Sequence, residues 1–198
     1  MGKLYRLGDS WSQTMPDKYP DEHNHSYYIA EHYGLEYVNV GYGGAACSDI
    51  ITQLVSIMFN CETGDMILIN IPSLDRVGYL DNENNYIDST KYSNEEMLKM
   101  NSIAQLTDKE LQYSVNNNIV HQLNKILHEL DKRGVQVFTM YNDTSYFFET
   151  INLISANFTG WVDGLGFKDL SPKGNLHYLY GTQEKLAQEI IKLIDEKI

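Results

Sequence analysis

Short apolar runs and longer amphipathic stretches alternate along this chain. Residues 4–7 (Leu-Tyr-Arg-Leu) read as a first strand. A polar loop over 12–25 leads to a short helix near 27–33, which Gly34 closes as a C-terminal cap. Glu36-Tyr37-Val38-Asn39-Val40 reads as a second strand, followed by the glycine-rich loop Gly41-Tyr42-Gly43-Gly44-Ala45-Ala46. Ser48 is placed to cap a helix through about Phe59, with Ile50, Ile51, Leu54, Val55 and Met58 on one face. Met66-Ile67-Leu68-Ile69-Asn70-Ile71 is nearly continuous in its apolar character, the pattern of a strand covered on both faces, and Pro72 ends it.

The second half repeats the alternation. Residues 76–105 are polar, rich in Asn and Tyr, and irregular, which suits a surface excursion or lid. Thr107-Asp108-Lys109-Glu110 forms a capping box before a long amphipathic helix. Leu111, Val115, Ile119, Leu123, Ile126, Leu127 and Leu130 form its inner stripe, and Gly134 ends it. A fourth strand spans 135–141, a helix is expected near 145–155, and a short strand near Trp161-Val162. Gly181-Thr182 opens a last helix with Leu186, Ala187, Ile190, Ile191, Ile194 and Ile198 inward.

Strands alternating with helices predict a mostly parallel sheet with helices on both faces, a three-layer α/β/α domain spanning residues 1–198. Such sheets bind ligands at the carboxyl ends of their strands, near the reversal in strand order. The loops expected there are 8–11, 41–46 and 72–76, joined by the segment that carries His177.

Charge narrows the classes. The chain has 15 basic and 27 acidic residues, a formal net charge of −12. That balance disfavours nucleic acid and anionic membrane surfaces as partners. Cys47 and Cys61 are too few for a disulfide framework and read as buried free thiols. The first residues run straight into a strand without a secretion-type apolar segment, and no apolar stretch is long enough to span a bilayer, so a cytoplasmic protein is expected.

The chemistry points to Gly8-Asp9-Ser10-Trp11. A serine on a Gly-led turn after the first strand has a free hydroxyl with backbone N–H groups close by, as an ester-cleaving nucleophile requires. His177, just before the last helix, supplies a candidate base. Asp9 reads as a structural buttress of its own loop. His23 and His25 read as members of a solvated loop, since no third metal ligand has suitable spacing. His121 and His128 read as exposed on the long helix.

These residues resemble the motif blocks of the SGNH hydrolases, the GDSL-type esterases and lipases, and the blocks would cover the chain from end to end. Gly8-Asp9-Ser10 matches the first block, with Trp11 in place of leucine. Asn39-Val40-Gly41-Tyr42-Gly43-Gly44 resembles the second, with Gly44 as its glycine. In the third, Leu74 of Pro72-Ser73-Leu74-Asp75-Arg76 falls where asparagine is usual. In the last, His177 and Gly181 match, while Gly174 holds the usual aspartate position. The resemblance implies a flavodoxin-like, five-stranded sheet. It implies Ser10 as nucleophile, His177 as base, and the N–H groups of Ser10 and Gly44 as oxyanion donors. Asn70, Ser73 and Arg76 are candidates for the third donor, with Ser73 nearest in sequence and Asn70 and Arg76 also candidate substrate contacts. Asp169, Asp163 or a backbone carbonyl would hold the imidazole.

The expected activity is hydrolysis of a short acyl ester such as acetyl, on a small or carbohydrate alcohol, with no cofactor. Tyr79, Tyr86 and Tyr92 in the excursion offer faces for sugar stacking, although a Tyr-, Asn-, Ile- and Lys-rich chain is equally consistent with an AT-rich genome. The rival readings are acyl transfer to another acceptor, a catalytically degraded binding module on the same fold, and a flavodoxin-like cofactor binder. The last is weakened because Ser10 to Thr14 contains no glycine to cradle a phosphate.

Overall fold

The most continuously apolar run of the sequence is the centre of the sheet. In the computed structural model, which describes residues 1–9, 23–42, 45–72, 109–141, 153–155 and 183–198, Met66–Ile71 forms strand β3 with all its residues buried. The elements in chain order are β1 (Lys3–Gly8), α1 (His25–His32), β2 (Glu36–Asn39), α2 (Cys47–Ile57), β3, α3 (Lys109–Lys132), β4 (Gln136–Tyr141), β5 (Leu153–Ser155) and α4 (Gln183–Asp195). The sheet order is β2-β1-β3-β4-β5, and every adjacent pair is parallel. This is the flavodoxin-like order, which reverses direction between β1 and β3.

Alternation along the strands explains the three layers. Tyr5, Leu7, Ile67, Ile69, Ile71 and Val137 point to one face, where Ile50, Leu54 and Ile57 of α2 and Leu123, Leu127 and Leu130 of α3 cover them. Leu4, Met66, Leu68, Phe138 and Met140 point to the other, against Ile29 and Ala30 of α1 and Leu186, Ala187, Ile190 and Ile194 of α4. Successive strand residues face opposite sides, so one run of sequence feeds two cores. Burial of these side chains in a parallel sheet, not local propensity, holds β1 and β3 in place.

Several local expectations are revised. Residues 153–155 are strand, not the end of a helix: they pair with Thr139 and Met140 along the outer side of β4. A short apolar run carries no periodicity, and an available strand edge decides its state. Helix α2 begins at Cys47 with Ala46 as its cap, not Ser48. The carboxylate of Asp49 reaches back to the Ala46 N–H at 2.7 Å, so the acid in the first turn does the capping. The buried face of α2 includes Gln53 and Ile57, while Val55 is exposed. Ile198 lies beyond the end of α4 and is 66% exposed. Both cysteines are buried, and they are not joined in a disulfide. The excursion over 76–105, the helix expected over 145–152 and the strand at Trp161-Val162 lie outside the described residues. Among the described residues, no helix is long and apolar enough to cross a membrane.

Ile69 is fully buried at the centre of β3, whereas Val55 is 46% exposed on α2. Ile69→Ala is expected to cost about 2–5 kcal/mol of unfolding free energy, and Val55→Ala no more than about 0.5 kcal/mol. Urea denaturation of both variants checks this; equal losses would contradict the layered core.

Candidate active site

The two central strands end side by side, with Gly8 of β1 opposite Asn70 of β3. Gly8 has φ of 130°, a conformation L side chains rarely adopt. A β-carbon there would stand 2.5 Å from the Asn70 carbonyl oxygen and 2.8 Å from the Asn70 β-carbon. Only glycine lets β1 turn this close to β3. Its backbone is fully engaged: the Gly8 N–H donates to Gln53 Oε1 at 2.8 Å, and Gln53 Nε2 donates to the Gly8 carbonyl at 3.2 Å. The Tyr42 N–H donates to the same carbonyl at 3.1 Å. A side-chain amide on α2 therefore mimics one further strand pairing at the end of β1.

Asp9 follows, with no exposed surface. Asn70 Nδ2 stands 3.5 Å from its Oδ1. Its carbonyl accepts from Nη2 of Arg6, a side chain only 1% exposed. Nη1 of Arg6 donates to Asn39 Oδ1 on β2 at 3.1 Å. Burial pushes the Arg6 guanidinium down to about 10, against the opposing pull of Tyr37 and Asp9. It remains a cation at neutral pH. The guanidinium lies under Gly41, where a β-carbon would stand 2.8 Å from Arg6 Cζ and 2.7 Å from the Gly8 carbonyl oxygen. Gly41 is glycine because of that close approach.

The other loop of the edge is tied down from α2. Asp49 accepts from Ala46 N–H and from Tyr42, and these two contacts partly offset the burial that raises its carboxyl above the usual range. Cys47 Sγ donates to the Pro72 carbonyl at 3.7 Å, which links the start of α2 to the end of β3.

A second anchor joins the two helices of the opposite layer. Gln183, the first residue of α4, accepts at Oε1 from the His25 backbone N–H at 2.9 Å and meets His25 Nδ1 at 3.0 Å. Because that oxygen only accepts, Nδ1 carries the proton. His25 is wholly buried as the first residue of α1, not part of a solvated loop as its polar neighbours imply. Asn24 caps the helix through the Tyr27 N–H, so His25 is turned inward. Burial lowers His25 to about 4, the Gln183 hydrogen bond opposes this, and the positive charge of Arg6 adds to it.

Among the described residues, no group of histidine, cysteine and acidic side chains is placed to hold a metal ion. His23, His121 and His128 are exposed. Of the sequence-derived candidates, Asn70 is buried near the carboxyl end of β3 and reaches toward Asp9. Ser10, Gly44, Ser73, Arg76, Asp163, Asp169 and His177 lie outside the described residues. Sequence reasoning passed over Arg6, Gln53 and Gln183, and set His25 in a solvated loop. Two of them left a signal. Arg6 is a charge in an apolar strand, and Gln53 shares the helical face of Ile50, Leu54 and Ile57.

No family model matches the chain, and no curated protein matches it. Solved structures do. Protein YXIM of Bacillus subtilis aligns with 99% of this chain at a TM-score of 0.55 and 14% identity, over 56% of its own length. The acetyl xylan esterase Est2A of the rumen bacterium Butyrivibrio proteoclasticus aligns with 98% of the chain at 0.44 and 15%, over 63% of its length. An extracellular lipase of Streptomyces rimosus aligns with 99% at 0.39 and 15%, over 72% of its length. The chain thus shares its fold with the Bacillus protein while spanning little more than half of it.

His25 generates a pH dependence. An unfolded histidine binds a proton near pH 6.5, and the folded one only near pH 4. The unfolded state holds more protons between these values, so stability is full above about pH 6.5 and drains as pH falls toward 4. The loss attributable to this group is about 3 kcal/mol. His25→Leu is expected to be less stable than the parent at pH 7 but to show a shallower fall between pH 6.5 and 4. Parallel slopes in pH-dependent denaturation would contradict the burial of a neutral imidazole.

Proposed function

We propose that the chain is a serine esterase of the SGNH type that removes a short acyl group, such as acetyl, from a small or carbohydrate alcohol. The observation that carries this reading is the Gly8-Asp9 turn. It stands at the carboxyl end of β1, beside the reversal in strand order between β1 and β3, with its backbone held by Gln53, Tyr42 and Arg6. Ser10 follows at once in sequence, where this class of sheet presents its ligands.

In this reading the Ser10 hydroxyl adds to the ester carbonyl, and His177 takes its proton. The N–H groups of Ser10 and Gly44 receive the oxyanion, joined by a third donor for which Ser73 is nearest in sequence. His177 returns the proton to the departing alcohol. Water then adds to the acyl-serine, again through His177, and releases the acid. Asp169 is the first choice to hold the imidazole. Arg76 remains a candidate substrate contact. Asn70 is assigned instead a structural role beside the Gly8-Asp9 turn, because it is buried and its amide faces Asp9. Tyr79, Tyr86 and Tyr92 would offer faces to a sugar ring. Acyl transfer uses the same acyl-serine with another alcohol in place of water. The degraded-module reading draws on Leu74 and Gly174, where the resembled family has Asn and Asp.

Hydrolysis of p-nitrophenyl acetate is expected from the parent. Ser10→Ala and His177→Ala should each lose at least about 10³-fold in kcat. Equal background rates in all three proteins would remove the esterase reading and leave the binding module.

A further inference from the structure

Four aromatic side chains meet where α1 begins. His23 stacks on Tyr27, with ring centroids 3.7 Å apart and planes 20° from parallel. Tyr28 stands edge-on to both, 5.7 Å from Tyr27 and 6.3 Å from His23. Tyr37 of β2 meets Tyr27 edge-on at 6.0 Å. The helix cap builds this arrangement. Asn24 Oδ1 accepts from the Tyr27 N–H at 3.0 Å, and Asn24 Nδ2 donates to the Tyr37 hydroxyl. The same turn buries His25 and Ser26 and leaves Tyr27 and Tyr28 half-buried.

Core packing accounts for only part of the cluster. Tyr28 and Tyr37 pack against the apolar core on the α1 side. Among the described residues, Tyr27 packs against neither core. His23 is exposed. The stack is therefore aromatic surface held in place at the outside of the protein. A loose side chain gives up rotamer freedom when it binds a ligand, and a braced one has already given it up.

The topology puts the stack on the ligand-binding side of the sheet. Only residues 33–35 separate α1 from β2, and β2 starts at the amino edge, where the Glu36 N–H donates to the Gly2 carbonyl at 2.9 Å. Helix α1 thus ends at the amino edge, and its first turn lies toward the carboxyl edge, where such sheets hold their ligands. Side chains link the cluster to the Gly8-Asp9 turn. Tyr37 is coupled electrostatically to Arg6, and Arg6 donates to the Asp9 carbonyl.

We propose that the His23–Tyr27 stack, braced by Tyr28 and Tyr37, is a subsite for the sugar ring of a carbohydrate ester. This rests on the esterase reading and names the alcohol half of its substrate. The C–H bonds on one face of a pyranose form an apolar surface of slight positive character, which suits the electron-rich face of an aromatic ring. The His23 imidazole and the Tyr27 hydroxyl add hydrogen-bonding groups for sugar hydroxyls. A nucleotide would also stack, but its phosphates are repelled by a chain of net charge −12, and a neutral sugar is not. A quaternary ammonium needs an open cage of ring faces, and these rings are packed on one another.

The test compares kcat/KM for β-glucose pentaacetate and for ethyl acetate in one preparation, so that their ratio is independent of the folded fraction. Tyr27→Ala and His23→Ala are each expected to lower the ratio of sugar ester to ethyl ester by about 3–10-fold, the worth of one aromatic contact. Tyr27→Phe keeps the stack and should hold the ratio within about twofold of the parent. His23 is exposed, so His23→Ala folds even if Tyr27→Ala does not. A second measurement needs no catalysis: NMR saturation transfer from the protein to methyl β-glucopyranoside should be seen with the parent and weaken in both alanine variants. An unchanged ratio in the folded variants would overturn this inference alone. So would a parent that cleaves ethyl acetate and not the sugar ester. A parent inactive on both esters would overturn the esterase reading. Saturation transfer that depends on Tyr27 and His23 would then leave the sugar subsite standing, and its absence would remove the subsite as well.

Discussion

Gly8 exchanges a pair of hydrogen bonds with the Gln53 amide while pressed against Asn70 of the neighbouring strand, and the rest of the carboxyl edge is arranged around that grip. Without a β-carbon, β1 can end in direct contact with β3 and turn out of the sheet. The Gln53 side chain comes from α2, on one face. Arg6 answers from the opposite face through the Asp9 carbonyl. The turn leading to Ser10 is therefore held between the two layers of helices, and its geometry is set by the packing of both cores.

Most polar burial in the described residues gathers at this edge. Arg6, Asp9, Asn70, Gln53 and Asp49 surround the ends of β1 and β3, and His25 with Gln183 joins the starts of α1 and α4. Asp65 is an exception, spent on the Lys3 and Glu62 backbone N–H groups at the amino end of β3. Each buried polar group costs free energy that the apolar cores must offset, and an unsatisfied one costs more than its hydrogen bond would return. The structure places that cost where loops must keep one shape. The segment bearing His177 runs into α4, whose first residue is clamped to His25.

The fold was legible in the sequence because its strands are apolar enough to name themselves. Met66–Ile71 and the run before Tyr141 read as buried strands, and the stripe of Leu123, Leu127 and Leu130 gave the helix that covers them. Leu153–Ser155 was misread, since three residues carry no period and only the free edge of β4 decides their state. The cap of α2 was assigned to Ser48 because a hydroxyl before an apolar stripe is the commoner signal; the acid at the third helical position outcompeted it. The site was legible in part. Gly8-Asp9 gives the turn and its place on the sheet, but a sequence does not show that a glutamine forty-five residues on pairs with that glycine. His25 shows the same gap. Its neighbours in sequence are polar, while its neighbours in space are Gln183 and the interior of the α1 layer.

The central claim is that one hydroxyl, on Ser10, is activated at the carboxyl edge of this sheet. Mass spectrometry of the protein after exposure to a fluorophosphonate ester tests it most directly. The account predicts a single covalent adduct on the peptide that contains Ser10, formed stoichiometrically and lost when the protein is unfolded before exposure. An adduct on another residue, or none on the folded protein, would contradict it.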